Sequence, residues 1–220
     1  MNLFGGLILL TILLFSAILH EVAHGFVAER LGDPTARLAG RITLNPKKHI
    51  DLYMSILLPL LLIVSGSPVI FGAAKPVPID TFNLKEGRKD IALVSLAGPL
   101  TNIIIAIIAA FLAKFVIFSS RSLALDTSLS AIFSIVFFLL IKVSQLNLLL
   151  AIFNLIPIPP LDGSKIFALI LPEKEAAVYL SISSIGFLII FFLLFFPIGG
   201  FSLGNLIFSL LTFSEKLLGI

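Results

Sequence analysis

The chain has 220 residues, of which 59% are hydrophobic and 12% charged, with a mean hydropathy of +1.17, which excludes an ordinary soluble domain and implies a polytopic membrane protein. It contains no cysteine, so disulfides, thiolate zinc sites, iron–sulfur clusters and cysteine catalysis are excluded. The net charge of +3 is small and its basic residues gather in two loops, a pattern that suits contact with the lipid bilayer surface, and no nucleic-acid motif is present.

The first apolar run, from Leu3 to Phe26, predicts a helix long enough at 1.5 Å per residue to cross a hydrocarbon core of about 30 Å. It carries no Lys or Arg before Arg30 and no convincing cleavage site, and it reads as an uncleaved first span. Near its end stands His20-Glu21-Val22-Ala23-His24. At i and i+4 the two imidazoles share one helix face and can share a metal ion, while Glu21 beside them can take a proton from a metal-bound water. A satisfied core pair, a haem site or a proton relay are the competing readings. Ionisable groups in hydrocarbon are costly and usually functional, and two of the three histidines fall into this one spacing. His24 lies a few residues from the polar end at Glu29-Arg30, which places the site roughly 10 Å inside one membrane surface.

Between Leu31 and Leu52, Gly and Pro breakers surround Gly40-Arg41-Ile42-Thr43-Leu44, which reads as a small strand. Residues 53–71 are apolar but hold Pro59, Gly66 and Pro68. Basic loops flank this run on both sides, so it is expected to re-enter or form a hairpin rather than cross. A second span runs from Ile91 to Phe118; its first turns hold Ala97-Gly98-Pro99 and Asn102, small residues for close approach and an amide able to bond across helices. A third, Leu129 to Phe153, buries Lys142, which must snorkel, pair with Asp126 or line a water pocket. Three prolines then break the helix between Asn154 and Gly163. Val178 to Phe196 is expected to span outward and Phe201 to Leu218 to return. The expected architecture is an all-α polytopic membrane protein of about five spanning helices, with a re-entrant or hairpin segment and a small membrane-associated β element, forming one domain over residues 1–220.

A catalytic zinc takes three protein ligands and leaves room for water. His49 lies in a basic loop typical of solvated surface. Asp162 follows the helix break and, by the parity of the spans, lies on the same membrane side as His24. An N-cap role for the helix starting at Ser164 stands as the alternative for Asp162.

His20-Glu21-x-x-His24, Asn154-x-x-Pro157-x-Pro159-x-Leu161-Asp162-Gly163 and Ala97-Gly98-Pro99-x-x-Asn102 together resemble the intramembrane site-2 metalloproteases, peptidase family M50, in a compact form without PDZ-like or CBS-like domains. The resemblance covers about residues 15–170. It implies one Zn2+ per chain on His20, His24 and Asp162, Glu21 as general base, and Asn154 and Asn102 at the substrate. It also implies cleavage of a transmembrane protein substrate by a multi-pass cell-membrane enzyme whose active site lies towards the cytoplasmic side. Gly40 to Asn45 resembles the family's membrane-associated strand. A membrane metal transporter and a non-proteolytic relative that binds membrane helices are the rival readings.

Overall fold

Leucine, isoleucine and phenylalanine on all sides leave the first run no hydrated face, and it forms one uninterrupted helix, α1 (Leu3–Leu31). The computed structural model describes residues 3–65, 72, 74–122 and 127–220. After α1 come a single turn, α2 (Thr35–Leu38), a 3-10 turn at Pro46–Lys48, and a π-helical stretch, Leu52–Leu57, that runs into α3 (Leu58–Val64). Asp51 starts the π-helical stretch by accepting from the Tyr53 and Met54 amides. Two long helices follow, α4 (Arg88–Ser122) and α5 (Thr127–Asn154), then α6 (Asp162–Ala168), α7 (Glu173–Ser181), α8 (Ser183–Phe195) and α9 (Leu203–Leu218). Among the described residues three helices, α1, α4 and α5, are long and apolar enough to cross a membrane, and a fourth span results if α7 and α8, which meet at 68°, count as one.

Helix α4 is the centre of the bundle and packs on α1, α5 and α6. Its buried stripe is Ala106, Ala109, Ala110 and Ala113, small side chains that let backbones approach where lipid supplies no hydrophobic drive. Ser144 of α5 donates to the Ala106 carbonyl at 2.9 Å across this contact. Large exposed apolar side chains such as Phe111, Phe115, Ile135 and Phe138 cover the outside of the pair, as a lipid-facing surface requires.

Three expectations change. No strand forms at Gly40–Asn45, nor elsewhere among the described residues, where a single bridge pairs Ile198 with Phe201. The reason lies in where the backbone bonds go: Arg41 N returns to Ala36 O at 2.9 Å and Thr43 N to Arg41 O at 3.0 Å, so the segment turns on itself without a partner edge. The His49 ring nitrogen Nε2 donates to Thr43 O at 2.8 Å, and His49 is fully buried as a loop brace rather than solvated. Five spans are not reached, and α9 runs the other way from the expected return. Its start, Leu203 and Ile207, packs on Ile156 and Leu161, while its end bonds Gln145 of α5 through Glu215 at 2.8 Å. Helix α9 therefore leaves the Asp162 end antiparallel to α5. That same Gln145 accepts from Lys142 Nζ at 2.8 Å, which gives the buried ammonium its partner; Asp126 lies outside the described residues. Of the expected re-entrant run, 52–65 is helical against α1, and 66–71 lie outside the described residues.

Between α3 and α4, residues 74–80 are extended and strapped along α1. Arg41 Nη2 holds the Lys75 and Pro76 carbonyls at 2.7 and 3.2 Å, and Lys75 N donates to His49 O at 2.7 Å. At the far end, fully buried Asp33 accepts from Asp80 N at 2.8 Å, Asn83 Nδ2 at 3.0 Å, and the Thr35 amide and hydroxyl. Burial pushes the Asp33 carboxyl upward, but these donors together outweigh it and hold it below the usual carboxylate range. Its stabilisation is therefore complete above the ordinary carboxylate pKa and is lost as pH falls through the lowered folded value. Asp33→Asn should cost about 1–3 kcal/mol at neutral pH and flatten the acid limb of a thermal-unfolding series in detergent, while the wild-type midpoint falls.

Candidate metal centre

Helix α1 delivers His20 and His24 to its α4-facing side, where both are buried at 7% exposure, and the start of α6 brings in Asp162 at 8%. One ligand atom from each lies within 4.8 Å of the others. The two Nε2 atoms are 3.0 Å apart, and Asp162 Oδ2 is 3.2 Å from each. Tetrahedral zinc with ligands at about 2.0–2.1 Å sets its donors about 3.3 Å apart, so the spacing suits that ion.

The second ring nitrogens decide the chemistry. His20 Nδ1 donates to Asn102 Oδ1 at 2.6 Å, and His24 Nδ1 donates to the Val94 carbonyl at 2.7 Å. With each ring's proton placed there, both Nε2 lone pairs and an Asp162 oxygen converge on one point, an arrangement that repels itself unless a cation sits among them. Imidazole and carboxylate without thiolate suit zinc among the common divalent metals.

Asn102 is fully buried behind His20. Its Nδ2 donates to Asn147 Oδ1 at 2.8 Å, and Asn147 Nδ2 in turn donates to Ser16 Oγ at 2.9 Å and the Val143 carbonyl at 2.8 Å. Both ends of the Asn102 amide are thus engaged within the bundle, and its Oδ1 orients the His20 ring. The chain of amides ties α1, α4 and α5 together at the depth of the metal ligands. Asn147 and Ser16 were legible only as scattered polar residues, and Val94 contributes through its backbone, which no side-chain motif announces.

Asp162 occupies the first turn of α6, whose N-cap residue Leu161 makes no side-chain cap, and the Asp162 carboxylate makes no capping bond. Its Oδ2 faces the histidines, and Lys165 Nζ stands 3.5 Å from Oδ1. The proline-broken segment before it is held by short turns, Ile158 N to Ile156 O at 2.8 Å and Leu161 N to Ile158 O at 3.0 Å, over a cluster of Ile156, Leu161, Ile190, Leu203 and Ile207. Arg88, at the start of α4, donates to the Ala168, Leu169 and Leu171 carbonyls, which fixes the far end of α6 on α4. His49 is not part of the group. Asn154 sits at the end of α5, half-buried, with Nδ2 on the Leu150 carbonyl at 2.9 Å.

Glu21 is half-buried beside the ligands, and its Oε2 accepts from the Val77 amide at 2.7 Å. On the α4 side, Gly98 lies directly over the ligand atoms: a Cβ there would stand 2.5 Å from His20 Nε2 and His24 Nε2. The glycine expected from the sequence to permit close helix approach thus walls the candidate metal centre.

Residues 8–197 match the sequence model of peptidase family M50. The chain is 38% identical over 193 residues to "Putative zinc metalloprotease YwhC" of Bacillus subtilis, covering 87% of this chain and 81% of that protein. It is 34% identical over 150 residues to "Putative zinc metalloprotease Rip2" of Mycobacterium tuberculosis, covering 68% of this chain and 52% of that protein, so it spans about half of Rip2. Over 167 residues it is 29% identical to "Zinc metalloprotease MJ0392" of Methanocaldococcus jannaschii, covering 76% of this chain and 35% of that protein. No solved structure matches the chain.

Two substitutions test the centre without touching a ligand. Asn102→Ala should weaken zinc affinity about 10–100-fold in a chelator competition, since it frees the His20 ring. Gly98→Val, which drives a side chain into the ligand atoms, should leave the purified protein with little zinc by elemental analysis, and full zinc occupancy in both variants would refute the site.

Proposed function

The chain belongs to peptidase family M50 and is a zinc metalloprotease, and from that premise we propose that it hydrolyses peptide bonds of transmembrane protein substrates within the membrane, with Glu21 as general base. His20, His24 and Asp162 would hold the zinc, which when bound acidifies water and polarises a carbonyl. Glu21 takes the proton of the attacking water and returns it to the leaving amide nitrogen. The Asn102 and Val94 bonds keep both rings as neutral donors throughout.

The observation that carries this reading is that His20, Glu21 and His24 lie on one spanning helix with Asp162 of α6 beside the two imidazoles, and that His24 stands seven residues, or about 10 Å, short of the end of α1 at Leu31. A substrate segment at that depth is helical, and its peptide bonds are shielded by their own hydrogen bonds. Cleavage therefore requires local unwinding, and Asn154, the last residue of α5, is suited to take a freed substrate backbone group. Arg30, Arg37, Arg41, Lys47 and Lys48 follow directly on the metal-bearing end of α1, which supports a cytoplasmic orientation of the active site.

The test uses the purified full chain in phosphatidylcholine vesicles with a pool of synthetic single-span apolar peptides, read by mass spectrometry. Glu21→Gln should retain zinc and lose about 10²–10⁴-fold in cleavage rate. Cleavage at the wild-type rate by Glu21→Gln, or zinc flux across the vesicles in place of cleavage, would overturn the proposal.

A further inference from the structure

The sequence Lys75-Pro76-Val77-Pro78-Ile79 has an unusual supply of backbone donors: Pro76 and Pro78 have no N–H, so Val77 offers the single amide of that triplet. That amide goes to Glu21 Oε2 at 2.7 Å, and it is the one hydrogen bond of the Glu21 carboxylate among the described residues. The prolines also fix extended backbone on both sides, so the donor is held in place before any carboxylate meets it.

The rest of the strap is built to keep this amide still. Its carbonyls at Lys75 and Pro76 are clamped by buried Arg41, Lys75 N is clamped by His49 O, and Asp80 N is clamped by buried Asp33. The Val77 side chain is 6% exposed and rests against α1 at Gly25, where a Cβ would stand 2.9 Å from Val77 Cγ1. Glycine at 25, one helical turn beyond Glu21 on α1, is what lets the strap close on the helix. Arg41, His49 and Asp33 are buried polar groups outside the metal centre, and all three serve this one segment.

We propose that the Val77 amide is a positioning group for the general base: it holds Glu21 Oε2, sets the carboxylate plane, and leaves Oε1 for the reacting water. The proposal rests on Glu21 acting as base. Glu21 is half-buried beside the ligand set, and the Val77 amide is the hydrogen-bond donor its carboxylate meets among the described residues. A charge-assisted bond from an immobile backbone donor locks its rotamer, and a carboxylate free to rotate loses its alignment with the scissile carbonyl.

The decisive variant replaces Val77 by α-hydroxyisovaleric acid through nonsense suppression, which turns the amide into an ester and deletes the N–H while keeping the side chain. On the zinc-loaded full chain with the same peptide pool, kcat should fall about 10–100-fold with KM and zinc content unchanged. Amide exchange of Val77 in zinc-free protein gives a readout independent of turnover: it should quicken about tenfold or more in Glu21→Ala. Wild-type kcat in the ester variant overturns the positioning role, as does a fall in kcat matched by an equal loss of zinc, which would mark the strap as a structural support. Unchanged exchange at Val77 in Glu21→Ala overturns it too. Failure of the general-base reading shows separately, as Glu21→Gln turning over at the wild-type rate.

Discussion

An imidazole offers its Nε2 lone pair only when Nδ1 keeps the proton, and inside an apolar bundle that proton has to be given to an acceptor. This requirement organises the middle of the molecule. Two rings on one face of α1 need two acceptors on its neighbour, and α4 supplies them one from a side chain, Asn102, and one from its own backbone at Val94. The first can be reached only if α1 and α4 approach closely, which is what Gly98 and the alanine stripe of α4 permit. Asn102 then needs its own partner, and the need passes to Asn147 of α5 and on to Ser16 of α1. A polar network begun at the metal ligands thus closes a ring around three spanning helices.

The same physics governs Asp162. A carboxylate arriving at this depth on a long helix would leave helix-end backbone groups beside hydrocarbon, since a helix ends with unpaired carbonyls and begins with unpaired amides. The proline-broken segment between α5 and α6 solves this by short turns that satisfy the amides locally and by packing under α8 and α9. Helix α9 is pinned at one end by this cluster and at the other by Gln145 and Glu215. Its function in the fold is to cover the break that carries Asp162, which explains why it begins at the metal end.

How much of this was legible in the sequence depends on whether the signal was local. His20, Glu21 and His24 are readable because helical spacing alone places them, and Asp162 because a helix break with the right parity is visible in the prolines. Asn102 was visible as a residue and not as a role: its neighbour depends on how α1 crosses α4, which spacing within one helix does not encode. The strand expected at Gly40–Asn45 came from β-branched residues between turns, but a strand exists only with an edge to pair with, and the backbone there bonds to α2 and to itself. The direction of α9 escaped hydropathy because it follows from where its two ends meet other elements, Leu203 and Ile207 on the Ile156 cluster and Glu215 on Gln145.

The strap at residues 74–80 was the least legible part, since its contribution is a backbone N–H and its sequence reads as an ordinary proline-rich loop. Its logic is the reverse of the metal centre's. His20 and His24 are held by groups of the long helix α4, the Asn102 side chain and the Val94 carbonyl, whereas Glu21 is approached by a loop that has no rigidity of its own. Rigidity is imported instead, through Arg41 on two carbonyls, Asp33 on the far end and prolines within. Arg41, His49 and Asp33 thereby share one task, holding an extended segment against α1 where the helix carries its carboxylate. Two independent frameworks, a helix bundle for the His20, His24 and Asp162 group and a clamped loop for the Glu21 carboxylate, meet at adjacent residues of α1, His20 and Glu21. A change in the loop can therefore move the Glu21 carboxylate and leave the three-residue group in place.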